Sequence, residues 1–301
     1  GCFHFLFPDN KINALINLLD DPDKQVYDLV REELMYLGQE VVPILENAWD
    51  GSYDSFFQYR VENIIHEIHF EKLKEEFVTW RKNPERNLLY GAYLLSKYQY
   101  PDLTFEEVDS FMYRLWQDVW IEMNPKFTAL EKVQLINEIF FGIHGFSGNR
   151  KNFYSPQNSY IHQVMEVKKG NPISLSLLYI ELAKRLEIPI YGVNLPQHFI
   201  MAHTKVPIEF IGKPEKNDIL FYINTFNNGS LFKEKDIQSF LDQLGIDAHE
   251  SYFLPCSSIT IIERSLKNLA FSYSKMGETE KVKELTELLS CLDPKQSMPE
   301  L

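Results

Sequence analysis

Apolar residues recur at helical spacing through the first hundred positions. Ile12, Leu15, Ile16, Leu18 and Leu19 form one stripe, broken by Asp20-Asp21-Pro22-Asp23. Val26, Leu29, Val30, Leu34 and Leu37 form a second, ending at Gly38, a natural C-cap. A third helix is expected from about Val42-Pro43 to Trp49, and an amphipathic one over 56–80. Further helices are predicted over 87–98, 105–120 and 129–141. Thr104, with Glu107 three residues on, has the form of a capping box. Gly142, Gly145 and Gly148 then mark loop. With no preceding strand and no Lys/Ser pair they read as turns, not as a phosphate loop.

After Pro189 the period changes. Residues 190–195, 198–206 and 219–224 are short β-rich runs, and Asn227-Asn228-Gly229 is a further turn. From about Ile259 helix returns, as two segments over 261–276 and 279–292 joined at Gly277 and closed by Asp293-Pro294. The opening rhythm of helix, Asp-Pro-Asp turn, helix, Gly, helix resembles HEAT-type repeats. The closing pair resembles one tetratricopeptide-like hairpin, which cannot bury its apolar face alone and must dock on something.

Composition narrows the function classes. The 301 residues are 45% hydrophobic and 14% aromatic, enough for real cores. A net charge of −13 with no basic stripe argues against nucleic acid and favours a basic or neutral partner. Cys2, Cys256 and Cys291 are widely spread with no CxxC pair, so neither a disulfide framework nor a zinc ribbon is expected; the latter two read as buried, inert thiols. No apolar run approaches the ~18 residues of a membrane span. The chain starts at Gly1 without Met and reads as trimmed. Cytoplasm is the default expectation, with a lipid anchor through Cys2 as the alternative if a signal peptide once preceded it.

The informative stretch is 153–203. Asn171 is a good N-cap and Pro172 a favoured first helical residue. The helix they open is apolar nearly all round in its first half, interrupted by Ser174 and Ser176, and is expected to be buried. Charges gather at Glu181, Lys184 and Arg185, where it is expected to emerge near Leu186. A buried helix followed by an antiparallel sheet is an α+β layout that places a nucleophile at a helix N-terminus. There the dipole lowers a thiol pKa and a strand histidine pairs with it.

Five blocks in order carry a resemblance: Gly145-Phe146-Ser147-Gly148-Asn149, Asn158-Ser159-Tyr160, Gly170-Asn171-Pro172-Ile173-Ser174-Leu175, Pro196-Gln197-His198-Phe199 and Ile223-Asn224-Thr225-Phe226-Asn227-Asn228-Gly229. They resemble the SirB-type branch of the transglutaminase-like superfamily, over about 140–232 and on through the C-terminal hairpin. The chain departs from that pattern at Gln197 (usually Gly), Asn224 (usually Asp), Thr225 (usually Pro) and Asn228 (usually Gly). Active enzymes of the superfamily carry Gly-x-Cys at the start of this helix and a Gly-Ile-Pro after it. Aligned without a gap, their Gly falls on Gly170, their Cys on Pro172, their His on His198, their Asp on Asn224 and their Ile-Pro on Ile188-Pro189. The resemblance thus implies a degenerate triad, Pro172, His198 and Asn224, with no thiol. Asparagine still orients a neutral imidazole but does not stabilise an imidazolium as a carboxylate does.

Ser174 lies two residues beyond the nucleophile position, about 200° around the helix, so both serines read as packing residues bonded to the preceding turn. His198 has two readings: a pocket residue, or a structural histidine bonded to Asn224. His198 and His203 fall on opposite faces of one strand and cannot chelate together. His66 and His69 share a helix face but have no further ligands in view. No metal and no cofactor are expected. The expectation is an α+β protein with a HEAT-like region over 1–85, a transglutaminase-like domain over 86–258 and a tetratricopeptide-like hairpin over 259–301. Relatives in this branch are linked to regulation in bacteria and to ubiquitin-ligase adaptors in animals. The leading reading is a pseudoenzyme that binds a protein or peptide in a candidate cleft of Asn158, Tyr160, Asn171, Ser174, Gln197, His198 and Asn224. The alternative is a hydrolase or acyltransferase acting on amides or esters, with His198 as base and no cysteine.

Overall fold

The computed structural model describes residues 9–293, so Cys2 lies outside the described residues. The chain divides into two compact units, 1–76 and 77–301.

The first unit is helical: α1 (Asp9–Asn17), α2 (Lys24–Leu37), α3 (Val42–Asp50) and most of α4 (Ser55–Lys82). The Asp-Pro-Asp break works as the sequence suggests, because Asp23 caps α2 by accepting from the Gln25 amide at 2.8 Å. Arg60 secures the same turn, donating to the Leu19 and Asp21 carbonyls, both at 2.7 Å, while its guanidinium lies over the Tyr27 and Phe56 rings. Leu19, Leu34, Leu45, Val61 and Ile64 form the buried centre. Leu29, expected on the apolar stripe, is 65% exposed. Val30 and Leu34 take the inward face of α2, and a residue beside Val30 falls about 100° round from it.

The second unit holds α5 (Leu88–Lys97), α6 (Phe105–Glu122) and α7 (Ala129–Asn137), the last running into a π-helical turn (Glu138–Ile143). The Thr104–Glu107 capping box is formed. Gly142 therefore sits in that π turn and not in a loop, since the wider turn carries the chain on to His144, whose amide reaches the Ile139 carbonyl at 2.8 Å. Gly148 is likewise no simple turn. It belongs to β1 (Ser147–Gly148), paired in parallel with β2 (Lys169–Gly170), and a Cβ there would lie 2.3 Å from the Phe226 ring. Between these strands runs α8 (Ile161–Val167), and after them α9 (Pro172–Arg185).

The main sheet is antiparallel in the order β3 (Ile190–Leu195), β4 (His198–Thr204), β5 (Ile219–Asn224), β6 (Ser230–Phe232), with a four-residue helix, α10 (Ile208–Ile211), in the β4–β5 connection. Then come α11 (Glu234–Leu244), α12 (Ser258–Lys275) and α13 (Thr279–Leu292). Helices plus one small antiparallel sheet make the α+β class expected from the sequence. Helix α9 is the hub, in contact with α5, α6, α12, β3 and β4. Every residue from Pro172 to Ala183 is buried, Glu181 included, so the helix emerges later than its charges suggest. Glu181 accepts there from Arg185 Nε at 3.0 Å, and the same Arg185 donates to Asp109 of α6 at 2.5 Å. The C-terminal hairpin docks through α12 on α5 and α9.

Candidate functional site

The N-terminus of α9 is built from short polar side chains that bond one another. Asn171 accepts from the Ile173 and Ser174 amides at 3.0 and 2.8 Å, and its Nδ2 donates to Ser159 Oγ at 3.2 Å. Ser174 Oγ accepts from the Asn171 amide at 3.0 Å, closing a reciprocal cap. Pro172 takes the first helical position, where its missing N–H costs nothing. Its carbonyl accepts from Thr225 Oγ1 at 3.4 Å, and Thr225 also bonds Ser176 Oγ at 2.8 Å. Ser176 thus spends its hydroxyl on Thr225 and not on the preceding turn, a pairing that no local pattern reveals. The void beside Ser159, Asn171, Ser174 and Ser265 is about 10 Å³, far below the size of a substrate.

The neighbouring loop is equally internal. Asn158, 2% exposed, accepts from Asn149 Nδ2 at 2.8 Å and donates to the Asn152 and Phe153 carbonyls at 2.8 and 3.0 Å. Tyr160 is fully buried, its hydroxyl 2.6 Å from that of Tyr273 in α12, and desolvation pushes its pKa far up.

His198 opens β4 directly after the Pro196-Gln197 turn. Gln197 is exposed at the hairpin tip with φ +59°, a left-handed position that glycine occupies without strain. His198 is half-buried and joined to Asn224 by a side-chain hydrogen bond. Burial pushes its pKa below the usual histidine range; the Asn224 bond works against that shift, and the Arg264 guanidinium reinforces it. Asn224 also accepts from the Phe226 amide at 3.0 Å, capping the turn that leads to Gly229. Arg264 of α12 is anchored on Asn194 Oδ1 at 2.6 Å and the Leu195 carbonyl at 2.5 Å, and lies over Phe199.

Strand alternation decides which groups meet. His198 shares a face of β4 with Ile200 and Ala202, whose cluster includes Tyr222 and also Ile237 and Leu241 of α11, and the Phe240 ring lies 6.2 Å from the imidazole. Thr225, one residue beyond Asn224, points the other way, to α9. The fold therefore brings His198 and Asn224 together and ties Pro172 to Thr225. Thr225, Arg264, Tyr273 and Asn149 complete the neighbourhood. Of these, only Asn149 and Thr225 lie in the motif blocks; Arg264 and Tyr273 reach it from α12 with no local signal. Among the described residues no three His, Cys, Asp or Glu side chains cluster as metal ligands, and no helix is long and apolar enough to cross a membrane.

The sequence profile of the transglutaminase-like superfamily matches residues 106–267, from α6 into α12, and so includes Pro172, His198 and Asn224. The chain belongs to the transglutaminase-like superfamily. Superfamily relatives include a UPF0162 protein of Xylella fastidiosa strain Temecula1, 29% identical over 215 residues that span 69% of this chain and 73% of that one. A UPF0162 protein of Vibrio cholerae is 25% identical over 154 residues, 51% of this chain and 53% of the relative. F-box only protein 21 of Mus musculus is 25% identical over 191 residues, which cover 56% of this chain and 30% of that protein. No solved structure matches the chain.

Proposed function

We propose that this protein is a non-catalytic, SirB-type member of the superfamily that binds a protein or peptide, with His198 and Asn224 as the polar contacts of its recognition surface. The triad is degenerate in this reading: Pro172 offers no nucleophile, and Asn224 replaces a carboxylate. One observation carries it. The polar side chains around the α9 N-terminus are already bonded to one another, Asn171 with Ser174 and Ser159, and Ser176 with Thr225. A helix N-terminus so occupied has no side chain free to attack an acyl carbon. Asn158, Tyr160 and Ser174 then serve as the scaffold behind Gln197, His198 and Asn224. In this reading a HEAT-like region over 1–85 and a tetratricopeptide-like hairpin over 259–301 flank a recognition domain over 86–258.

A second reading rests on His198 alone. Its lowered pKa keeps the imidazole neutral at pH 7, the state a general base needs, and Asn224 orients it. An ester or amide hydrolase would then use His198 to activate water. The experiment is an NMR titration of the His198 imidazole and Asn224 amide resonances with a panel of neutral and basic peptides. Saturable shifts that disappear in His198→Ala are expected. Resonances unmoved by every peptide would remove the binding proposal.

A further inference from the structure

The other end of α9 opens on a cavity of about 520 Å³. Ile180 from α9, Ile188 before β3, Ile190 at its start and Ile261 from α12 give it apolar walls. The volume lies within the ~300–1,000 Å³ typical of small-molecule sites. Charges of both signs share the space. Arg86 and Lys184 are cations, Glu187 and Glu209 anions, and among the described residues none of the four is in an ion pair.

One feature separates Arg86 from ordinary surface charge. Arg86 is fixed in place, its Nη1 donating to the Arg81 and Asn83 carbonyls at 2.6 and 3.0 Å, yet its Nε is shut from solvent with no acceptor. A buried donor of that kind is costly unless something accepts from it. Ser257 and Ser258, the N-cap and first residue of the 18-residue α12, line the same cavity, adding the positive end of a helix to its wall. Glu187, just past the end of α9, is exposed and holds φ +57° as the left-handed residue that closes the helix, the Ile188 amide reaching the Ala183 carbonyl at 2.9 Å.

We propose that this cavity binds a small zwitterion with an apolar side chain, a free amino acid or a dipeptide. Its carboxylate sits on Arg86 and the α12 N-terminus, its ammonium on Glu187, and its aliphatic body against the isoleucines. The site is separate from the surface around His198. None of Gln197, His198 and Asn224 lines the cavity, so either proposal stands if the other fails.

The test is isothermal titration of the full chain with leucine and with leucyl-leucine, which separates the two sources, beside N-acetyl-leucine and leucinamide, which each lack one charge. One zwitterion is expected to bind saturably and each singly charged analogue at least about tenfold more weakly. Glu187→Gly removes the carboxylate while relieving the backbone, so it is expected to fold at least as stably by thermal melt and to lose about tenfold or more in affinity. No saturable heat from either zwitterion up to about 10 mM would overturn the proposal. So would an affinity unchanged in Glu187→Gly, or N-acetyl-leucine binding as tightly as leucine.

Discussion

At its N-terminus α9 is wrapped in bonds of its own chain: Asn171 engages Ile173, Ser174 and Ser159, and Ser176 engages Thr225. Toward its C-terminus the same helix carries Lys184, with Glu187 just beyond its end, charges without ion pairs among the described residues, beside a cavity of about 520 Å³. The first arrangement is what a folded core demands, where each buried donor finds an acceptor. The second leaves Arg86 Nε unsatisfied. Chemistry in this superfamily is associated with the first end. In this chain the unfilled hydrogen-bonding capacity lies at the second.

The contrast can be broken by substitution, and the largest effect is expected near the closed end. Gly229 holds φ +74°, and a Cβ there would lie 2.2 Å from Oδ1 of Asn137, whose Nδ2 donates to the Gly229 carbonyl at 3.0 Å. Gly229→Ala combines a left-handed penalty with overpacking, and a loss of about 3 kcal/mol is expected in denaturant unfolding. Asn171→Ala removes the double cap and is expected to cost about 1–2 kcal/mol by the same assay. At the open end the sign reverses. Glu187→Gly relieves its φ and is expected to stabilise by up to about 1 kcal/mol. A destabilisation there would mean that the Glu187 carboxylate holds the fold and not a ligand.

The smallest effect is a pH slope. His162, His198 and His203 all have pKa values lowered chiefly by burial. Their folded pKa values lie below the unfolded value of ~6.5, so the unfolded chain binds more protons and stability falls as pH drops. Stability is expected to be full above about pH 7 and to decline as pH falls below ~6.5 and through the lowered folded values. His198→Gln is expected to flatten that decline, read from denaturation midpoints across the pH series.

Local grammar was legible in the sequence. Asn171 and Pro172 announce the start of α9, Thr104 with Glu107 that of α6, and Pro196-Gln197 the hairpin, because caps and turns are decided by neighbours within four residues. The α11 stripe of Ile237, Phe240, Leu241 and Leu244 was equally readable but is short and follows a turn-rich stretch that masks it. What was not legible depends on distant partners. Glu181 reads as surface until Arg185 and Asp109 appear beside it, Ser176 reads as back-bonded until Thr225 arrives, and Arg264 has no local reason to anchor on β3. The cavity beyond α9 joins 84–88, 180–192, 207–209 and 256–261, segments that no single motif links.

We propose that the α9 N-terminus carries no acyl chemistry. This proposal is tested most directly by measuring turnover of p-nitrophenyl esters and of a glutamine-peptide and amine pair by wild-type protein and His198→Ala. Rates equal to buffer are expected for both. Turnover by the wild type that vanishes in His198→Ala would contradict it and make His198 a working base.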